Sequence, residues 1–99
     1  MSMQVHYDFQ ASVWRYSASS SWFFVSLPAE LATEIRELFG KAEEGFGRLP
    51  VSSTIGQTTW KTAIWFDTKH NTYLLPLKSI VRKQESIQEG QTISVRVSI

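Results

Sequence analysis

Residues 58–83, TTWKTAIWFDTKHNTYLLPLKSIVRK, constrain the fold more than any other stretch of the chain. Trp60, Thr62, Ile64 and Phe66 alternate with Lys61, Ala63 and Trp65, the two-residue period of a strand with one face turned to a core. The turn DTKHN then reverses the chain, and YLLPLK returns toward the same core. Pro76 cannot donate to a ladder, so it places residues 72–77 at a sheet edge or ends that strand. SIVRKQ, residues 79–84, has room for one or two helical turns.

The other segments follow the same β-rich pattern. In residues 4–16, Val5, Tyr7 and Phe9 share one face and His6, Asp8 and Gln10 the other. An irregularity near Ala11 and Ser12 precedes Val13, Trp14 and Tyr16. SASSS (17–21) breaks the run as a small-residue loop. WFFVSL (22–27) is a second strand, dense in the aromatic and β-branched side chains that suit a pleated surface. Pro28 suits a helix start, and residues 29–39 place Leu31, Ile35, Leu38 and Phe39 on one helical stripe, with Gly40 as a stop. After a loop over 41–50, VSSTI (51–55) pairs through Gly56 and Gln57 with the next strand, a hairpin over 51–66. Glu89 and Gly90 mark a turn, and residues 92–99 close the chain with Ile93, Val95, Val97 and Ile99 on one face. Six short strands, one amphipathic helix (29–39) and a helical turn (79–84) predict a mainly β fold. The expected form is a small closed or pseudo-barrel, one domain over residues 1–99.

Composition matters for what it excludes. With 99 residues, 42% hydrophobic and 13% aromatic, the chain can bury one core without staples. The absence of cysteine removes disulfides, thiolate metal sites and cysteine nucleophiles, and is compatible with a reducing cytosol. MSMQVHYDFQ lacks the basic start and apolar run of a signal peptide. The longest apolar run, about five residues, is far short of the roughly twenty needed to span a bilayer, so a cytoplasmic protein without membrane contact is expected. Ten basic and nine acidic residues give a net charge of +1, so a nucleic-acid partner would require a local basic face. His6 and His70 form no metal framework, no G-x-S-x-G elbow surrounds a serine, and Gly45 and Gly47 lack a phosphate-loop context. No catalytic residue, metal site or cofactor is expected, and an enzyme is the least favoured class.

Four strings resemble a known family: W-x-F-V-x-L-P at 22–28 followed by the helix, GFGRLPVSSTIGQTTWKT at 45–62, YLLPLKSIVRK at 73–83 and SIQEGQTISVRVSI at 86–99. Together they resemble the bacterial DUF1905 family over nearly the whole chain. The resemblance implies a small barrel of the double-split type, an architecture shared with transcription regulators and antitoxins that bind DNA as intertwined dimers. It also implies that such domains sometimes sit beside a bacteriocin-protection-type module, which this chain lacks. Asp67 stands where many relatives carry proline, and Gln91 where they carry an acidic residue. The family brings a fold and no established activity.

Two constellations compete with plainer readings. Lys78 and Arg82, four apart, share a face if their segment is helical, with Lys83 beside them. Arg48 and Lys61 join them if the hairpin converges there, and the Arg82 guanidinium suits a carboxylate or phosphate. The plainer reading is a solvated face, or Arg82 paired to Glu85 or Asp67. The aromatic set is Trp14, Trp22, Trp60 and Trp65; Trp60 and Trp65, five apart, face opposite sides of a regular strand. Core packing is the plainer reading, most strongly for Trp22 among its apolar neighbours, while Trp60 suits a pocket wall equally well. The candidate ligand-binding residues are therefore Arg48, Trp60, Lys61, Lys78, Arg82 and Lys83, in a non-enzymatic module for an anionic small molecule or acidic peptide. One alternative is a weak, transcription-regulator-like nucleic-acid binder using Arg15, Arg36, Arg48, Lys61 and Arg82, with steep salt dependence. The other is a structural or dimerisation module with an apolar interface.

Overall fold

A computed structural model of the chain describes residues 4–99; Met1, Ser2 and Met3, part of the stretch used in the signal-peptide argument, lie outside them. The described residues form seven strands: β1 His6–Ser12, β2 Trp14–Arg15, β3 Phe23–Ser26, β4 Arg48–Ile55, β5 Thr58–Asp67, β6 Thr72–Pro76 and β7 Thr92–Ser98. Helix α1 (Ala29–Phe39) joins β3 to β4, and helix α2 (Ser79–Gln84) joins β6 to β7. All pairings are antiparallel, in one sheet ordered β1-β7-β4-β5-β6-β3-β2. The mainly β reading, the helix and the helical turn hold.

Of the expected six-stranded closed or pseudo-barrel, the strand count and the closed form do not hold. β1 and β2 are consecutive halves of one extended stretch, parted at Val13, and this supplies the seventh strand. They are also the two ends of the sheet, so the sheet curls into a half-barrel whose ends are joined by the chain itself, with no ladder between them among the described residues. The cause lies at Val13. Its N–H donates to Gln91 O (2.8 Å) and its carbonyl accepts from Gly90 N (2.7 Å), so a distant turn takes the hydrogen bonds that would continue the ladder. Gly90 makes that turn at φ +85°, a conformation glycine adopts without steric penalty.

The curl has a concave and a convex side because side chains alternate along each strand. Phe9, Val97, Leu49, Ile64, Leu75 and Val25 point inward from six different strands and are buried. Helix α1 packs into this concavity through Ala32 and Ile35, with Leu31 and Phe39 half-buried at its flanks. The expected stripe is thus rotated: Ala32 takes the place assigned to Leu38, which is 64% exposed. Ala32 has nothing beyond Cβ, so this arc of the helix can come close to the sheet. Gly40 does not stop the helix in a left-handed turn; it is right-handed (φ −57°) and leads into a 3-10 turn at Gly40–Ala42. The strand predicted over 51–55 begins earlier, at Arg48, and the turn that joins it to β5 rests against the residue that caps α2, where Thr58 Oγ1 donates to Glu85 Oε2 at 2.6 Å.

Candidate functional site

The strand register decides which of the six candidate residues can act together, and it separates them. Trp60 and Lys61 are successive residues of β5, so they face opposite sides of the sheet. Trp60 points inward, half-buried against the core, with its indole Nε1 buried. Lys61 points outward beside Ser52, over a groove of about 280 Å³ that also meets Ser98 and Ile99. Arg48 lies opposite Trp65 in the β4–β5 ladder, its guanidinium carbon 5.7 Å from that ring's centre and 2.5 Å from Glu44 at its nearest nitrogen. Lys78 and Arg82 do share a groove, of about 260 Å³, but its indole is Trp22 rather than Trp60. Lys83 is exposed on α2, outside that groove's lining.

Arg82 is held in place by groups other than those the charge pattern suggests. Its Nε donates to Leu77 O (3.1 Å), an Nη to Ser21 O (3.4 Å), and its guanidinium lies 4.0 Å over the Phe23 ring. Glu85 accepts from Thr58 and Asp67 pairs with His70. Among the described residues, no ion pair involves Lys61, Lys78, Arg82 or Lys83.

A larger concavity adjoins this groove on the convex side, about 440 Å³, lined by Trp22, Phe24, Trp65, Asp67, Leu74 and Pro76 among others. Cross-strand pairing builds it: Trp65 stands opposite Leu74, and Phe24 opposite both Pro76 and Trp14. Trp14 supports it from below; its Nε1 donates to Ser26 Oγ (2.9 Å) and its ring sits 4.9 Å from Phe24. Trp22, stacked on Phe24 at 6.1 Å and 63% exposed, belongs to both depressions, as does Pro76. The two therefore form one continuous surface, aromatic at one end and cationic at the other.

At the rim, Asp67 accepts from Lys69 N–H (3.2 Å) and pairs with His70, whose ring lies 5.7 Å from Trp14. The hydrogen bond from His70 holds the Asp67 carboxyl below its ordinary pKa. On the opposite side of the sheet, Tyr73 is buried and donates to Glu43, which also faces Arg36 at 3.6 Å. Burial first, then the Glu43 carboxylate, push the tyrosine's pKa up, so this hydroxyl is a packing donor rather than an acid. No group of three or more metal-ligating side chains exists among the described residues, and no helix there is long and apolar enough to cross a membrane.

Sequence reasoning placed Trp22 in the core, and the structure puts it at the centre of the exposed surface. Phe24, Trp65, Leu74 and Pro76 were not singled out as site residues. One signal could have found them. WFFV is apolar at four successive positions, so whichever face points inward, the other must display aromatics.

Fold and site together define a small, mainly β domain that curls around one helix and carries an aromatic surface with a cationic end. The chain belongs to the DUF1905 family, a domain of unknown function, whose profile matches residues 9–97. Comparison with curated proteins gives no match.

Proposed function

We propose that this domain is a non-catalytic binding module for a small anionic molecule that has a flat, apolar part, working in a reducing compartment such as the cytosol. The flat part lies in the concavity between Trp22 and Trp65, and the anionic end meets Lys78 and Arg82. The observation that carries this is the shared wall: Trp22 and Pro76 line both the aromatic concavity and the cationic groove. The larger depression, about 440 Å³, is within the usual range for small-molecule sites, roughly 300–1,000 Å³. Arg82 is pre-positioned by two carbonyls and a ring, which lowers the ordering cost of binding. A long polyanion is a poorer fit, since a net charge of +1 offers little counterion release.

The test is an NMR and tryptophan-fluorescence titration with a nucleoside monophosphate, the neutral nucleoside and inorganic phosphate as probes. The expected outcome is that the monophosphate shifts the indole signals of Trp22 and Trp65 together with the amides of residues 76–82, and that either fragment alone binds at least about tenfold more weakly. Shifts confined to other residues, or none, overturn the reading. A strong, steeply salt-dependent preference for single-stranded oligonucleotides favours nucleic-acid binding instead. Burial of Trp22 in a self-associated species, seen by light scattering, favours an assembly module.

A further inference from the structure

The aromatic concavity has a carboxylate in its wall. Asp67 lines it together with Trp65 and Leu74, and its side chain is 27% exposed, within reach of a bound molecule. The register puts it there. Asp67 lies two residues beyond Trp65 on β5, hence on the same face, and stands opposite Thr72 as Trp65 stands opposite Leu74. Thr72 and Pro76 are the two ends of β6, about 14 Å of strand apart, and Pro76 also borders the groove of Lys78 and Arg82. The rings of Trp22 and Trp65 therefore lie between charges of opposite sign, with the carboxylate at the end away from the cations.

This carboxylate is tied to its own turn without being used up. Oδ1 accepts the Lys69 N–H at 3.2 Å, and Oδ2 pairs with His70. An ionised carboxylate has about four lone-pair sites, so each oxygen keeps about one more to offer. The hydrogen bond from His70 holds the carboxyl below its ordinary pKa, so at neutral pH it is an acceptor only. Such a wall repels the lone pairs of a ring nitrogen or a carbonyl and favours N–H groups. Two oxygens side by side favour two neighbouring N–H groups, the bidentate pattern.

We propose that Asp67 determines the specificity of this surface, selecting a flat heterocycle with two adjacent N–H donors on the edge remote from its anionic group. This rests on the binding role proposed above and narrows its ligand class. Among nucleotide rings, guanine has that edge in its ring N–H and 2-amino group. Hypoxanthine has the ring N–H alone, and adenine sets an acceptor beside its amino group.

The test is a fluorescence and NMR titration with guanosine, inosine and adenosine monophosphates. The guanine nucleotide is expected to bind at least about tenfold more tightly than the other two, the size of one lost charge-assisted hydrogen bond. Asp67→Asn, which sets a donor beside an acceptor, is expected to abolish that preference and to favour the adenine nucleotide. A variant that merely loosened the turn would weaken all three alike, and the ranking in the unaltered protein does not depend on the variant folding. Equal affinity for all three, or a guanine preference that survives Asp67→Asn, overturns the role of Asp67 and leaves the aromatic and cationic surface standing. Silence of Trp22 and Trp65 with every nucleotide overturns both.

Discussion

The convex face of this sheet is two surfaces made by one rule. On β1 and β7 the outward residues meet in polar pairs: His6 with Ser98 (2.6 Å), Asp8 with Arg96 (2.7 and 3.0 Å), Gln10 with Ser94 (3.4 Å) and Ser12 with Thr92 (3.5 Å). Thr54 and Thr59 continue the pattern across β4 and β5 at 2.9 Å. On the other half, the same outward positions hold Trp65, Leu74, Pro76, Phe24 and Trp14. A depression of about 400 Å³ also lies beside Asp8 and Arg96, but those two groups already have each other. A sheet with one face in water needs only the polar solution. The aromatic half leaves Trp22 and Trp65 63% and 39% exposed, apolar surface of the kind on which the proposed binding role rests. The polar half is satisfied within itself, and the aromatic half is not.

The largest test of the contrast is to extend the polar solution into the aromatic half. Trp65→Ser combined with Leu74→Thr is expected to weaken binding of an aromatic anion by at least about tenfold, since stacking is worth roughly 1–3 kcal/mol per ring. The Tm should change little, because the outer face is not the core. Titration and circular-dichroism melting of the same variant check both halves of that statement. A collapse of the cooperative transition would mean the aromatic residues hold the fold together, and the two surfaces would no longer differ in kind.

Next in size is Gly47→Ala. Gly47 sits at φ +72°, and an added Cβ would lie 3.1 Å from Phe66 Cβ and 3.3 Å from the Phe66 backbone. The expected loss is about 1–3 kcal/mol from the left-handed backbone and the crowding together. It should disturb β4 and β5 where Arg48 faces Trp65, and leave the amide shifts around Asp8 and Arg96 unmoved. The neighbouring Phe46 provides the opposite sign. It holds φ +63° although it is neither glycine nor asparagine, and it is 95% exposed, so no packing compensates. Phe46→Asn should raise stability by about 1 kcal/mol, read as a higher Tm, because asparagine tolerates that region.

The two halves were not equally legible in the sequence. Strict alternation in β1, β5 and β7 fixes their faces, and Tyr7, Phe9, Val95 and Val97 lie buried as that period requires. The same period already prevents Trp60 and Lys61 from sharing a surface, so a site containing both was inconsistent with the strand assigned to them. The aromatic half was harder to read because residues 22–25 are apolar on both faces, and periodicity cannot say which face meets water. The break at Val13 has no local cause at all. It depends on hydrogen bonds to Gly90 and Gln91, brought there only by the completed fold. The β5–β6 turn, by contrast, is closed locally: Asp67 accepts from Lys69 N–H and pairs with His70.

The smallest expected effect lies in the polar half, and its sign can be worked out. The hydrogen bond from Arg96 is the main reason Asp8 titrates below its ordinary value. A carboxylate whose folded pKa is depressed stabilises the protein above its unfolded pKa, about 4, and loses that contribution as pH falls through the folded value. Asp8→Asn should therefore be slightly less stable than the parent at pH 7, and the difference should shrink in about 1 M salt because the pair is exposed. Below the folded pKa the two proteins should unfold at the same denaturant concentration. Urea titrations at neutral and acid pH, with and without salt, measure this directly. A difference that survives in acid would mean Asp8 contributes something other than charge, and the β1–β7 surface would not be the self-satisfied partner in the comparison.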